Sequence, residues 1–247
     1  MHLKKIHLLN FKNCQEASID LSKNINCFLG DNGEGKTNLL DAIFYLSFCK
    51  SYFNPSDSQV LKHEEPFMVV QGDFEINNKS ENIYCGIKRG QKKQFKRNKK
   101  EYEKLSDHIG LIPLVMISPE DSSLILEGSE VRRRFLDLII SQFDRTYLES
   151  VINYNKALAH RNRLLKKFME TRKFDESSLE VWDYQLIQFG KPIFEARFKF
   201  IEEFIPWFQK HYNYISAKKE QVNLIYESQL INQDFEDLLK SYRDKDR

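Results

Sequence analysis

No stretch of this 247-residue chain approaches the roughly 20 consecutive apolar residues of a membrane-spanning helix. The first residues, Met1-His2-Leu3-Lys4-Lys5-Ile6, enter a strand-like pattern at once and carry no apolar leader-type region. Cysteine is scarce. Cys14, Cys27, Cys49 and Cys85 are the only four, and none has the C-x-x-C spacing of a zinc or redox motif. They read as reduced thiols of a cytoplasmic protein. The six histidines are scattered and offer no catalytic base. A net charge of +2 leaves partner choice to the local distribution of charge. One absence is chemical. A phosphate-loop ATPase needs an apolar strand ending in paired acidic residues, which hold Mg²⁺ and polarise the attacking water. Leu114-Val115-Met116-Ile117 has the apolar run, but Ser118-Pro119 separates it from Glu120-Asp121. Leu124-Ile125-Leu126-Glu127 offers one carboxylate, in a segment that reads as helix.

What the chain does have is Gly30-Asp31-Asn32-Gly33-Glu34-Gly35-Lys36-Thr37, which fits G-x-x-x-x-G-K-[ST] at every fixed position. Glycines at this spacing let successive N–H groups turn inward onto phosphate oxygens. The lysine reaches the β- and γ-phosphates, and the threonine hydroxyl ligates Mg²⁺. The expected nucleotide contacts are Gly30, Asp31, Asn32, Gly33, Glu34, Gly35, Lys36, Thr37 and Asn38, with Thr37 as metal ligand and ATP and Mg²⁺ as cofactors. The flanks agree: Ile25-Asn26-Cys27-Phe28-Leu29 reads as a short buried strand, and Thr37 to Lys50 as a helix with Leu39, Leu40, Ile43, Leu46 and Phe48 at helical spacing.

Hydrophobic content of 41%, charged content of 30% and a mean hydropathy of −0.57 describe a soluble chain with a packed core, in one large or two small domains. Leu3–Phe11 and Ala17–Leu21 form a hairpin turning near Lys12-Asn13-Cys14. Phe67–Ile76 and Asn82–Lys88 read as adjacent strands joined at Asn77-Asn78-Lys79, and Lys92–Arg97 as a third that turns at Asn98-Lys99. Leu111–Ile117 has the length of a buried strand. Beyond Asp121 the pattern turns helical. Ser129 is a candidate cap for a helix to about Gln142, and Asp144 for one to about Glu170. Leu179–Ser216 reads as helix interrupted near Gly190-Lys191-Pro192 and Pro206, followed by a strand at Val222–Tyr226 and a helix at Asp234–Tyr242. No internal repeat or low-complexity linker is present.

Several separated stretches carry a resemblance. They are Leu9-Asn10-Phe11-Lys12-Asn13, the Gly30–Thr37 loop running into Asn38-Leu39-Leu40-Asp41-Ala42-Ile43, and Lys50-Ser51-Tyr52-Phe53. Ser118-Pro119-Glu120-Asp121 then leads into Gly128-Ser129 and Arg132-Arg133-Arg134-Phe135-Leu136-Asp137. Tyr154-Asn155-Lys156-Ala157-Leu158, Arg161-Asn162, Leu164-Leu165-Lys166 and Val181-Trp182-Asp183 complete the set. Together they resemble the N-terminal two thirds of the RecF family of ABC/SMC-like ATPases. The resemblance implies an α/β fold: an ABC-type (P-loop NTPase) head with an added antiparallel β region and an inserted helical domain. Residues 1–121 would be the N-terminal part of the head, 122–220 the helical domain, and 221–247 the start of the return into the head. It implies ATP-dependent DNA binding in recombinational repair and replication restart, at single-strand gaps, where recombinase is loaded. The implied partners are double- and single-stranded DNA, proteins of the RecO and RecR type, and a second copy in an ATP-dependent homodimer. The family's signature motif and acidic strand lie further along than Arg247. The expectation is therefore a weak DNA-stimulated ATPase for the complete protein and little turnover for this chain alone. By the same resemblance, Glu120 and Asp121 stand where ABC-type heads sense the γ-phosphate; from the residues alone, Asp121 is a cap for a short helix. A P-loop kinase or small-molecule NTPase with a helical lid, or a non-catalytic nucleotide-binding module, are the alternatives.

Basic residues concentrate in two places. Lys88-Arg89, Lys92-Lys93, Lys96-Arg97 and Lys99-Lys100 surround Phe95, and His160, Arg161, Arg163, Lys166 and Lys167 follow on a helix. Such density suits a phosphate backbone and equally a solvated surface. Lys92, Lys93, Lys96, Arg97 and Arg161 are the candidate DNA contacts. Arg132-Arg133-Arg134 cannot all face one side of a helix.

Overall fold

The computed structural model describes residues 1–243, and the chain divides into two compact units, Met1–Asp121 and the part from Ser122 onward. In the first unit, β1 (His2–Phe11), β2 (Cys14–Asp20), β3 (Phe67–Ile76), β4 (Lys79–Lys88), β5 (Gln94–Arg97) and β6 (Lys100–Glu101) form one sheet in the order β2-β1-β3-β4-β5-β6. Every pairing is antiparallel. Alternation builds it: Ile6 and Leu8, Met68 and Val70, Ile83, Cys85 and Ile87, and Phe95 are buried on one face, while their neighbours in sequence point to the other. The turns fall where a residue tolerates a left-handed backbone, with φ of 52° and 61° at Asn77 and Asn78 and 49° and 71° at Asn98 and Lys99. Helix α1 (Lys36–Phe48) adds Leu39, Ala42, Tyr45 and Leu46 to the same core.

His108 is fully buried in this unit. A carbonyl only accepts, so Nε2–H donates to Leu46 O at 2.7 Å, and Nδ1 accepts from the Tyr102 hydroxyl at 3.0 Å. Burial pushes its pKa down from 6.5 to about 4. The unfolded chain therefore binds more protons between those values, and stability falls as pH drops through that window. The loss reaches about 3 kcal/mol near pH 4. Melting curves between pH 7.5 and 4.5 should show this fall, and His108→Gln should flatten it. An unchanged pH slope in the variant would exclude the histidine as its source.

The second unit is helical: a single turn α2 (Ser123–Leu126), then α3 (Ser129–Ile140), α4 (Arg145–Thr171), α5 (Glu176–Ile215) and α6 (Phe235–Tyr242). Leu136, Ile140, Tyr147 and Ile193 form its core with Val151, Tyr154 and Phe200 against them. Asp144 caps α4 by accepting from Tyr147 N at 2.9 Å, and Asp175 caps α5 through Ser178 N. Gly190 lets α6 approach α5: a Cβ there would stand 2.3 Å from Phe235 Cε1. Residues 221–243, expected to begin a return into the head, belong to this unit, where Lys191 faces Asp234 at 3.7 Å and Arg243 reaches Asp183 at 3.2 Å. The last four positions of the expected 221–247 segment lie outside the described residues.

Five expectations need correction. Ile25–Leu29, Leu111–Ile117 and Val222–Tyr226 are not strands: no ladder pairs with them among the described residues, and Ile25, Leu29, Val115, Ile117 and Ile225 are 76–94% exposed. An apolar run becomes a strand only when a neighbour supplies its hydrogen bonds. Ser129 is the first residue of α3 and Gly128 its cap. Finally, α5 runs unbroken through Pro192 and Pro206. Each proline frees one carbonyl four residues back. Those carbonyls belong to Gln188 and Glu202, both exposed, so water can satisfy them.

Candidate functional site

The loop Gly30–Thr37 curls into the first turn of α1. Gly33 and Gly35 have φ of 92° and 95°, where any side chain would be strained. Gly35 is the helix cap, with no side-chain cap bond, so the first N–H groups of α1 present the positive end of the helix dipole outward. The Lys36 ammonium donates to the carbonyls of Gly30 and Asp31, each at 2.8 Å. Thr37, one residue on, is exposed, as are Asp31, Asn32 and Glu34. Asn38 Nδ2 donates to Asn13 Oδ1 at 2.7 Å, and Asn13 Nδ2 donates to Gly33 O at 2.9 Å. The arrangement can hold a polyphosphate anion: backbone donors, a helix N-terminus and one mobile cation converge on one mouth.

Behind the loop, Asp41 of α1 is fully buried. It accepts from Lys12 Nζ at 2.7 Å, Ser51 Oγ at 2.6 Å and Tyr52 N at 2.7 Å. The Tyr52 hydroxyl donates to Asp121, whose other oxygen accepts from Ser118 N at 2.7 Å. Burial, reinforced by the Asp121 carboxylate, pushes the Tyr52 phenol up to about 12. Asp121 is thus engaged locally, whereas Glu120 is exposed. The site roles of Asn13, Asp41 and Tyr52 are not legible in the sequence. Their stretches carry the resemblance, but no spacing rule ties an asparagine to a glycine carbonyl 20 residues away.

The candidate DNA contacts separate into two groups. Lys92 is exposed, and Lys96 lies 5.5 Å from the Tyr84 ring centroid on the solvent face of the sheet. Lys93 turns inward: its Nζ reaches Asp57 at 2.8 Å, Tyr45 Oη at 2.9 Å and Cys49 O at 2.7 Å. Arg97 is bidentate to Glu81 at 2.8 and 2.7 Å and holds that carboxyl below its usual range. Arg161 is buried against Asp183, with Nε–Oδ1 at 2.6 Å, so its charge is neutralised inside the helical unit. The three consecutive arginines bind locally: Arg132 to the carbonyls of Leu124 and Glu127, Arg133 to Ser129, Arg134 to Glu130.

A glycine loop capping a helix packed on an antiparallel sheet, in a chain that continues into a helical unit, defines an ATPase head of the AAA/ABC type, and a family model for an AAA domain matches residues 5–246. The chain is 54% identical over its whole length to the DNA replication and repair protein RecF of Phocaeicola vulgatus, and spans 66% of the length of that relative. Identity is 52% to the protein of the same name from Flavobacterium johnsoniae, of which 69% is covered. A solved structure of the recombination mediator protein RecF with an ATP analogue, in the RecFOR pathway, superposes with a TM-score of 0.87 at 30% identity, over 99% of this chain and 68% of that one. The chain belongs to the RecF family.

Proposed function

We propose that this chain is the nucleotide-binding part of a RecF-type DNA replication and repair protein, taking ATP on Gly30–Asn38 and binding DNA. One observation carries the reading: the Gly30–Thr37 loop sits at an uncapped helix N-terminus within a chain 54% identical throughout to a protein named for DNA replication and repair. Lys36 would exchange the carbonyls of Gly30 and Asp31 for the β- and γ-phosphates. Thr37 would hold Mg²⁺ with phosphate oxygens and water, the ligand set this cation favours. Among the described residues no group of three or more His, Cys, Asp or Glu could hold a metal on its own, which supports a cation that arrives with the nucleotide. A relative solved with ATP is described as a RecFOR-pathway mediator. That supports partners of the RecO and RecR type; the family resemblance extends the proposal to double- and single-stranded DNA at gaps, an ATP-dependent homodimer and a cytoplasmic setting. No helix among the described residues is long and apolar enough to cross a membrane.

For DNA, the geometry favours Lys92 and Lys96, with Lys99 and Lys100 beside them, over Lys93, Arg97 and Arg161, whose charges are already paired. Replacing Lys92 and Lys96 with Gln should weaken binding to every sequence. It should also lower the slope of log affinity against log salt by about one per lost phosphate contact. Lys93→Gln should leave the slope unchanged and lower the melting temperature instead. Fluorescence anisotropy of labelled duplex across a salt series reads this. A slope indifferent to Lys92 and Lys96 would remove the β4–β5 region from the DNA surface.

A further inference from the structure

We propose that Asn13 is a positioning residue of the phosphate loop: it fixes the orientation of the Gly33–Glu34 peptide, so that the Glu34 N–H faces the nucleotide. The proposal rests on the nucleotide reading above and adds a residue that the loop motif does not contain.

Glycine leaves a loop free to curl, and equally free to rotate its peptide planes. Gly33 is exposed, and a Cβ added to it would meet nothing within 4 Å, so packing does not hold this peptide. Asn13 does. Its Nδ2 donates to Gly33 O at 2.9 Å, while its Oδ1 accepts from Asn38 Nδ2 at 2.7 Å, so one amide joins the middle of the loop to the first turn of α1. In a planar trans peptide the N–H points opposite to the C=O. Drawing Gly33 O toward Asn13 therefore turns the Glu34 N–H to the other side. There it has only a long contact, 3.4 Å, with Asp31 O, one of the two carbonyls on which Lys36 rests. That weakly committed donor and the lysine face the same place.

Asn13 is itself held. Lys12 adopts φ of 52°, its N–H donates to Val60 O at 2.8 Å, and its ammonium is anchored on buried Asp41. The β1–β2 turn is thus braced against α1 and aims Asn13 at the loop. The fit is tight on the third side as well: a Cβ at Gly35 would come within 2.9 Å of Asn13 Oδ1. Aspartate at 13 is isosteric but cannot donate to Gly33 O, and alanine cannot span the gap.

Fluorescent ATP–Mg²⁺ titration of the chain, with Lys36→Ala as reference, tests the role. Asn13→Ala should weaken affinity about tenfold, the value of one or two net hydrogen bonds. Asn13→Asp should weaken it at least as much. Asn13 is exposed, so neither variant should move the melting temperature. Without nucleotide, amide exchange at Glu34 should quicken in both Asn13 variants. Wild-type affinity in both, alongside loss in Lys36→Ala, would overturn the role of Asn13 and leave the nucleotide site standing. Affinity untouched by Lys36→Ala would overturn the site itself, and the proposal with it.

Discussion

Lys36→Ala should reduce ATP affinity by about two orders of magnitude while the protein stays folded. The Lys36 ammonium makes two bonds at 2.8 Å to the carbonyls of its own loop, and its loss removes no volume from the core. Transferred to a triphosphate, it forms charge-assisted hydrogen bonds, each worth roughly 1.5–3 kcal/mol, and losing that energy is a factor of ~100 in affinity. Melting should change little, because the two carbonyls released lie in an exposed loop that water reaches. Anisotropy of a fluorescent nucleotide, with circular dichroism as control, measures both. Equal affinities would mean that the loop binds no phosphate.

The second large effect is on stability. Asp41 is fully buried, and its carboxylate satisfies a lysine, a serine hydroxyl and a backbone N–H. Asp41→Ala leaves the Lys12 ammonium, whose side chain is 12% exposed, without its counter-charge. Breaking one side of such a pair costs about 3–5 kcal/mol, because the surviving charge stays buried. For a unit of this size that is a fall of more than about 10 °C in melting temperature. Lys12→Met with Asp41→Leu should recover a substantial part, since apolar replacement of both partners removes the stranded charge. Calorimetry of the three proteins decides it. A drop of only a degree or two in Asp41→Ala would show that Lys12 simply swings out to solvent.

How much of this is legible in the sequence depends on the range of the interaction. Features set within a few residues are visible: the loop, the start of α1, the left-handed Asn77-Asn78 and Asn98-Lys99 turns, and the Asp144 cap. Ile25–Leu29 and Leu111–Ile117 have the composition of buried strands, but composition carries no information about which chain pairs with them. The structure forms no strand at either, and leaves Ile25, Leu29, Val115 and Ile117 exposed. The basic residues mislead for the same reason. Arg161 and Arg97 look like surface cations because the carboxylates that neutralise them, Asp183 and Glu81, are 22 and 16 residues away. Even the Lys36–Asp41 stretch, recognisable as a unit, gives no hint that its aspartate is the anchor of a turn formed by residue 12.

The two prolines of α5 have a mechanical consequence. They are fourteen residues apart, so at about 100° per residue they lie about 40° from each other around the helix axis. The two places where the ladder lacks a bond therefore open toward nearly the same side. A 40-residue helix, ~60 Å long at about 1.5 Å per residue, would ordinarily resist bending equally in all directions. This one is compliant in a single plane and stiff across it, like a leaf spring with two scores cut in one face.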